Sequence, residues 1–396
     1  MNISNDRFPR VEAWALALFG VLFVAAAWLY VAKVSGKMPD LDVYLRAGAR
    51  AAAAEPLYRA EDEHFQFKYL PAFALLVSPL SAIDAPAARA LWFALSVACL
   101  GGLLYMSVRL PATAVVRSVP LAAVKPGWVL AAVAVVVLGK FYARELVLGQ
   151  VNLMFAAAIA AALLALERGR EGQAGVLIAL GIVLKPYGAL FLPWLLARRR
   201  SASAIAAFTG LAVALLAPSA LYGVTGNIAL HREWWSTVLT TTAPNLSNPD
   251  NVSWLAMYAR WFGDGAGPWP LALLLVTVVC GIGLAAWVWS RRRHVAFPEG
   301  LEGALLLVVI PFLSPQGWDY VLLLATPAVV YVVACEVRLP PVVRWITFAA
   351  LVTIGTTIYD LMGRTAYHAF MNASGITLCF FVVIAALLVL RWRAVA

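Results

Sequence analysis

Long runs of apolar residues, separated by short polar segments, make up most of this chain. A helix needs roughly 20 residues to cross a hydrocarbon core of about 30 Å, and apolar runs near that length recur along the chain. The pattern predicts an all-α transmembrane bundle of about twelve spans, forming a single integral membrane domain over residues 1–396. The predicted spans are 12–34, 88–108, 127–142, 151–166, 172–185, 187–197, 203–222, 269–290, 301–314, 318–336, 341–359 and 374–391.

The first apolar run and one shorter run need separate interpretation. No small-residue cleavage site cleanly ends the run over 14–34, so we interpret it as a retained span and not as a removed signal peptide. The apolar segment 69–83 is too short for an ordinary span, and it contains Pro71 and Pro79. If it were counted as a span, every later loop would change sides of the membrane and the arginine triplets would lie outside. We therefore predict a tilted or re-entrant helix on the outer side, packed against protein.

Charge is distributed unevenly between the two predicted sides. The chain has 30 Lys and Arg against 20 Asp and Glu, a net charge of +10. The predicted inner segments hold 17 basic and 7 acidic residues, whereas the outer loops hold 13 of each. The positive-inside rule then predicts cytoplasmic N- and C-termini. The arginine triplets at 198–200 and 291–293 are interpreted as cytoplasmic anchors and not as a nucleic-acid surface.

Two outer loops are long enough to carry a site. Residues 35–68 contain an Ala- and Arg-rich stretch, 41–54, that predicts an amphipathic helix lying at the membrane interface. Residues 223–268 are rich in Trp, Asn and Thr, and include His231, Arg232, Trp234 and Trp235. These four side chains fit an interfacial belt or a sugar-binding surface equally well.

The first candidate site residues follow the first span. Asp40 and Asp42 form a D-x-D pair, and Tyr44 comes two residues later. A carboxylate held at the membrane edge could accept a proton from a sugar hydroxyl as that hydroxyl attacks. The pair could instead bind a divalent cation, or form an ordinary solvated flank.

Further polar residues cluster at predicted outer ends of other spans. Arg144 and Glu145 are either a neutralising pair or part of a site, and Gln150 and Asn152 can hydrogen-bond a hydroxyl-rich ligand. Lys185 is either a snorkelling cation or a phosphate ligand. Trp318, Asp319 and Tyr320 lie in another such turn. Its two aromatic residues are either interfacial belt residues or rings that stack on a sugar, and Asp319 could orient the sugar hydroxyls.

Several kinds of chemistry have no motif in this sequence. There is no Walker A sequence, no G-x-G-x-x-G after a strand, no H-E-x-x-H and no G-x-S-x-G. The four histidines are scattered, and the four cysteines lie inside apolar runs without a CxxC pair. We therefore expect no cofactor and assign no metal ligands, although a divalent cation is compatible with the D-x-D pair.

Four stretches together resemble glycosyltransferase family 87, a mannosyltransferase-like family of the GT-C superfamily. They are D-L-D-V-Y at 40–44, followed by P-L-Y and F-K-Y-L-P; G-Q-V-N at 149–152; A-G-V-L-I-A-L-G-I-V-L-K-P at 174–186; and L-S-P-Q-G-W-D-Y at 313–320. Their order and spacing fit the family across roughly residues 12–340. One departure is that Asp319 and Tyr320 follow Trp318, where the family often has a histidine.

The resemblance implies a GT-C-type membrane enzyme of the bacterial plasma membrane, with its active site facing the exterior. It implies transfer of a hexose, in the first place mannose, from a polyprenyl-phosphate sugar to a glycolipid or glycan acceptor, with inversion. It places the general base at Asp40 rather than Asp42. The cationic side chain of Lys185 or Arg144 would then stabilise the departing lipid phosphate.

Two other functional classes have a similar layout. A lipid or sugar transporter would need polar residues at mid-membrane on several spans, and most spans here have none. A surface-polysaccharide ligase or polymerase would normally have a larger loop with paired Arg or His residues. We therefore favour the glycosyltransferase.

Overall fold

The computed structural model describes residues 13–115, 125–263, 267–290 and 298–393, and within these ranges the chain is helical with no β-strand. The arginine triplet at 291–293 and the beginning of the first predicted span lie outside the described residues. The α-helices are α1 (Ala13–Leu29), α2 (Pro39–Ala52), α3 (Pro71–Ser81), α4 (Ala85–Val115), α5 (Gly127–Leu148), α6 (Asn152–Glu167), α7 (Glu171–Leu184), α8 (Phe191–Ala197), α9 (Ser201–Leu216), α10 (Ser219–Thr242), α11 (Trp254–Phe262), α12 (Trp269–Ser290), α13 (Glu299–Leu313), α14 (Thr326–Ala334), α15 (Pro341–Thr356), α16 (Tyr359–Met362), α17 (Arg364–Asn372) and α18 (Gly375–Arg393). Short 3-10 or π-helical turns occupy Tyr30–Val34, Ala60–Phe65, Pro186–Leu190, Ala243–Asn245, Asp319–Ala325 and Glu336–Arg338.

Several helices have the length and composition of membrane spans. Three qualify within the described residues, namely Ala85–Pro111, Trp269–Ser290 and Gly375–Arg393, and up to five qualify if two bent helix pairs each count as one span. Six other apolar segments have 10–17 residues, which is shorter than a single untilted crossing requires. Helix α12 exposes Val279 and Ile282, each 64% or more accessible. Such an apolar surface suits contact with lipid, so the chain is a helical membrane protein.

Helix α2 (Pro39–Ala52) confirms the prediction of an amphipathic helix over 41–54. The segment from Gly20 to Val34, which is formed by α1 and the π-helical turn after it, meets α2 at an angle of 77°. Helix α2 therefore lies across the direction of the first span. One face of α2 is buried, while Arg46 and Ala49 remain exposed. The buried residues of α2 are Leu41, Val43, Tyr44, Ala47, Gly48 and Ala51.

The short apolar run over 69–83 forms helix α3, which packs closely against α2. Helix α3 has 11 residues and begins at Pro71, where a missing backbone N–H costs no helical hydrogen bond. A Cβ atom on Gly48 of α2 would lie 3.1 Å from the backbone of Ser78, so the two helices meet at a glycine. This contact fixes α2, and with it the first candidate carboxylates, against the bundle.

A buried ion network lies at the end of the bundle that contains Arg198 and Arg200. The carboxylate of Glu302 accepts hydrogen bonds from Arg391 Nε (3.0 Å) and Trp194 Nε1 (3.1 Å), and Arg391 is only 1% exposed. Glu299 is paired with Arg200 at 2.8 Å and with Arg198 at 3.2 Å. Two of the three arginines of the triplet at 198–200, predicted as anchors, are therefore paired within the protein.

Candidate active site

Gln150 lies at the centre of a hydrogen-bonded cluster that joins five separate parts of the chain. Its Oε1 atom accepts hydrogen bonds from Tyr44 OH (2.9 Å), Tyr69 OH (3.0 Å) and Lys185 Nζ (3.3 Å). Its Nε2 atom donates to Tyr320 OH at 3.3 Å. Gln150 is held in place by the left-handed turn at Gly149 that ends α5. We call these five residues the Gln150 cluster.

Asp40 lies beside this cluster, in the first turn of α2. Burial raises the pKa of the Asp40 carboxyl above its usual value, and this effect is opposed by hydrogen bonding from Gln150 and by the positive charges of Lys185 and Lys68. The side chain nevertheless keeps part of its surface accessible. A partly desolvated carboxylate with a raised pKa is a stronger base than a solvated one, which is the property a general base requires.

Lys185 brings a positive charge to the same place. Its Nζ atom donates to Tyr69 OH at 2.8 Å and lies 4.6 Å from the centre of the Tyr69 ring. The backbone breaks from helix at Lys185, because the residue before a proline is disfavoured in the α conformation and Pro186 follows. The lysine is thus held between α7 and the next 3-10 turn by fixed partners.

Asp42 faces a different partner from Asp40. Residues two positions apart on a helix differ by about 200° in direction, and Asp42 Oδ1 accepts a hydrogen bond from Arg89 Nη2 of α4 at 3.1 Å. Tyr44, four positions after Asp40, does face the cluster. The structure therefore unites Asp40 with Tyr44 and separates Asp42 from both.

Glu145 and Asn152 lie beneath the cluster and are fully buried. The Glu145 carboxylate accepts hydrogen bonds from Asn152 Nδ2 (2.8 Å) and from the backbone N–H of Leu153 (3.1 Å), at the first turn of α6. A carboxylate at this position satisfies N–H groups that a helix leaves unpaired and complements its dipole. Tyr187 OH donates to Asn152 Oδ1, so these two residues support the turn that carries Gln150.

Arg144 pairs with two aspartates and not with its neighbour Glu145. Its Nη1 atom lies 2.7 Å from Asp319 Oδ1, and its Nη2 atom lies 2.8 Å from Asp250 Oδ2. The guanidinium also lies 5.6 Å from the centre of the Tyr320 ring. Arg144 therefore connects α5 to the segment between α10 and α11 and to the turn that contains Asp319, at the side of the Gln150 cluster.

Trp318 lies in the same turn and is partly exposed. It forms an isolated antiparallel bridge with Asn251, next to a hydrogen bond from Val252 N to Gly317 O at 2.7 Å. The segment between α10 and α11 and this turn therefore lie together, near the Gln150 cluster. Most of the long loop predicted over 223–268 is helical within the described residues, in α10 and α11.

Three residues at the site were not singled out as ligands by the sequence. Tyr69 belongs to the Gln150 cluster, Lys68 lies near Asp40, and Asp250 pairs with Arg144. Two of them, Lys68 and Tyr69, lie inside the motif F-K-Y-L-P, which the sequence analysis had noted. Asp250 follows Asn248 and Pro249 in a loop without a recognisable motif.

An all-helical membrane protein with a carboxylate, a lysine and hydroxyl groups gathered around one amide defines a membrane enzyme acting on polar, hydroxyl-rich groups. The family model for glycosyltransferase family 87 matches residues 67–311. This match covers more than half of the chain, and the chain belongs to glycosyltransferase family 87. The protein is therefore a glycosyltransferase, which decides against the transporter alternative.

The matched segment contains Gln150 and Lys185, whereas Asp40 and Asp319 lie on either side of it. No curated protein and no solved structure gives a significant match to the chain.

Proposed function

We propose that the protein transfers a hexose, in the first place mannose, from a polyprenyl-phosphate sugar to a glycolipid or glycan acceptor, with inversion. The observation that carries this proposal is the meeting of Asp40 and Lys185 at the Gln150 cluster. A base and a cation held a short distance apart suit a reaction that takes a proton from one oxygen and places negative charge on another. The family membership supports the transfer of a sugar.

The reaction needs one base and no general acid. The acceptor hydroxyl oxygen attacks the anomeric carbon, its proton passes to the Asp40 carboxylate, and the bond between the anomeric carbon and the phosphate oxygen breaks. The polyprenyl phosphate leaves with the bonding electrons as a charged group. Lys185, as a fixed cation, stabilises the charge that develops on the leaving oxygen.

The remaining candidate residues have supporting roles in this proposal. Tyr44 and Gln150 position the reacting groups, and Glu145 and Asn152 hold the turn beneath them. Arg144, Asp319 and Trp318 form the neighbouring wall that contacts sugar. Asp42 belongs to the same helix and acts through its contact with Arg89.

We propose a single GT-C-type membrane domain of about twelve spans in the bacterial plasma membrane, with the site on the outer face. The charge asymmetry of the sequence supports this orientation. The segments that carry Asp40, Asp250 and Trp318 all contact one another or the Gln150 cluster, as segments at one end of a bundle do. The arginine-rich ion network lies in different segments, which the same orientation assigns to the cytoplasmic end.

The direct test is incubation of purified protein with polyprenyl-phosphate mannose and a cell-envelope lipid extract, with mass analysis of the products. The expected result is a lipid or glycan heavier by one hexose. Polyprenyl-phosphate glucose run in parallel reports the sugar preference. Absence of any hexosylated product from either donor, with folded protein and a complete extract, would contradict the proposed donor class.

A further inference from the structure

A groove of about 390 Å³ lies between helices α4, α6 and α7, separate from the Gln150 cluster. Most of its lining residues are apolar, among them Gly102 and Met106 of α4, Leu164 of α6 and Leu177 of α7. Val176, next to Leu177 on α7, is 57% exposed. An exposed apolar surface of this kind suits contact with lipid in a membrane protein, so the groove opens toward the bilayer.

One end of the groove is positively charged. Arg168 directly follows α6 and Arg170 directly precedes α7, and both are exposed side chains that line the groove. Tyr105 of α4 also lines it, and the guanidinium of Arg109 lies 5.1 Å from the centre of the Tyr105 ring. Three arginines from three segments therefore surround one end of the groove.

The neighbouring acidic side chains are directed elsewhere. Glu171 accepts hydrogen bonds from Arg200 Nη1 at 2.8 Å and from the hydroxyl of Ser203. Glu167 is close enough to Tyr331 of α14 for their charges to interact. Neither carboxylate is among the residues that line the groove.

The positive charge of the groove is therefore not neutralised within the part of the chain that the structure describes. No described carboxylate forms a salt bridge with Arg109, Arg168 or Arg170. The planar fork of a guanidinium fits the oxygens of a phosphate. An apolar wall beside such a charged end suits hydrocarbon, and basic pockets between membrane helices bind the headgroups of anionic lipids in this way.

The groove lies at the opposite end of α7 from the proposed active site. Arg170 precedes the first residue of α7 and Lys185 follows the last, and 14 helical residues separate these positions by roughly 20 Å. The pair between Glu171 and Arg200, at 2.8 Å, places the groove beside the buried ion network. A headgroup held there cannot contact the Gln150 cluster, so this ligand takes no part in the transfer reaction.

We infer that the groove between α4, α6 and α7 binds an anionic phospholipid from the leaflet next to the buried ion network. The phosphate pairs with Arg168 and Arg170, and Arg109 lies at its side. The beginning of the acyl chains lies against Gly102 and Leu177. The lipid thereby holds the turn between α6 and α7 against α4, and it stabilises the folded protein because it binds only that state.

The first experiment measures lipid retention. Delipidated protein in detergent is mixed with phosphatidylglycerol and phosphatidylcholine that carry the same acyl chains, and retained lipid is counted by native mass spectrometry. We expect phosphatidylglycerol to be retained at least about fivefold better, because its headgroup has no cation of its own to compete for the arginines. The double variant Arg168→Gln/Arg170→Gln should lose this preference. Equal retention of the two lipids by the parent would overturn the inference.

Arg344→Gln is the matched control for the single variant Arg168→Gln. Arg344 lies on the same predicted side of the membrane but outside the groove, with its guanidinium 5.9 Å from the centre of the Trp345 ring. Both variants remove one positive charge, and only Arg168→Gln should weaken retention of phosphatidylglycerol. Equal weakening in the two variants would mean a diffuse attraction of anionic lipid to the whole surface, and the groove would be rejected.

Gly102→Leu tests the apolar wall while keeping all three arginines. A Cβ atom at Gly102 would lie 3.8 Å from Met106 Cε, which is an ordinary contact, and leucine favours a helix more than glycine does. The variant should therefore fold, with its new side chain occupying part of the groove. We expect retention of phosphatidylglycerol to fall at least about fivefold. Parental retention in Gly102→Leu would contradict a lipid seated in the groove.

Thermal unfolding distinguishes a lipid from a free anion. Phosphatidylglycerol should raise the unfolding temperature of the parent more than phosphatidylcholine does, and this difference should disappear in Arg168→Gln/Arg170→Gln. Inorganic phosphate at millimolar concentration should have no effect. If inorganic phosphate raised the unfolding temperature of the parent as much as phosphatidylglycerol, and not that of the double variant, the site would bind free phosphate and the lipid would be ruled out.

Discussion

Asp40 and Asp42 are two positions apart in sequence, but the helix directs them to different partners. We predict that Asp40→Asn lowers the rate of transfer by at least about 10²-fold, as loss of a general base does. Asp42→Asn should lower it much less, because that side chain contacts Arg89. The measurement is the initial rate of transfer by the purified parent, Asp40→Asn and Asp42→Asn proteins. Parental activity in Asp40→Asn would remove this residue from the mechanism.

The burial of Asp40 predicts how the rate depends on pH. Its pKa is raised on folding, so the basic form disappears as pH falls through a value above that of an ordinary aspartate. Lys68→Met removes a charge that lowers this pKa and should therefore move the acid limb of the pH–rate profile to higher pH. Movement to lower pH would contradict the assignment of Asp40 as the base.

The same pKa shift has a consequence for stability. A carboxyl whose pKa is raised by folding disfavours the folded state when it is ionised, and this cost disappears once the pH is below its unfolded value. Asp40→Asn should therefore unfold at the same or a higher temperature than the parent at neutral pH. Thermal unfolding in detergent checks that any loss of activity is not a loss of fold.

Lys185 offers a test of the donor site. If it only places a charge at the interface, Lys185→Arg should behave like the parent. If its ammonium fits a phosphate beside Tyr69 and Gln150, the larger guanidinium should raise the KM for donor, and Lys185→Ala should raise it further. Initial rates measured against donor concentration for the parent and the two variants distinguish these possibilities. Parental donor dependence in Lys185→Ala would leave only the anchoring role.

At the scale of elements, Gly149 at the end of α5 packs against the beginning of α2. It has a φ of +73°, and a Cβ atom there would lie 3.0 Å from the Cβ atoms of Leu41 and Met38, on either side of Asp40. Gly149→Ala should both strain the turn, by about 1–2 kcal/mol, and displace α2. We predict a marked loss of transfer as well as of thermal stability.

Gly169 supplies the matched control for Gly149. It has a similar φ of +69°, but no atom lies within 4 Å of the position that a Cβ would take. Gly169→Ala should introduce backbone strain without a steric clash. We therefore expect a lower unfolding temperature with near-parental activity. Equal activity in the two variants would mean that the Gly149 contact does not position α2.

The apolar runs predict most helices, because each run must satisfy its own backbone hydrogen bonds in lipid. The span predicted over 269–290 coincides with helix Trp269–Ser290, and the span predicted over 341–359 corresponds to helix Pro341–Thr356. The span predicted over 318–336 is not one continuous helix. Asp319–Ala325 forms a 3-10 turn and Thr326–Ala334 an α-helix that begins at a proline-containing turn.

The site was harder to predict than the helices, because its contacts join distant residues. The sequence predicts Asp40, Gln150 and Lys185 each at an outer span end, but it does not show that Gln150 Oε1 connects Tyr44, Tyr69 and Lys185. Arg144 illustrates the same limit. Its adjacent Glu145 faces α6, whereas its actual partners are 106 and 175 positions away.

At the scale of the whole molecule, the proposed orientation puts the Gln150 cluster outside and the Arg198 network inside. We predict that a tag at the C-terminus reports the cytoplasm. In a background without the native cysteines, Arg199→Cys should resist a membrane-impermeant reagent applied from outside, and Glu233→Cys should react with it. Both positions are exposed on the protein. Labelling of Arg199→Cys alone would reverse the orientation and the site argument with it.

The ion network also bears on how the chain is made. Glu302 is 1% exposed, and its partner Arg391 follows it by 89 positions, in the last helix. Among the residues that the structure describes, the other side chains beside this carboxylate are those of Arg198 and Trp194. During synthesis the network therefore lacks one of its cations until the last helix has been made and has packed beside α13. A chain that ends before this helix would leave Glu302 without the arginine that pairs with it, in an interior where an incompletely paired carboxylate is costly.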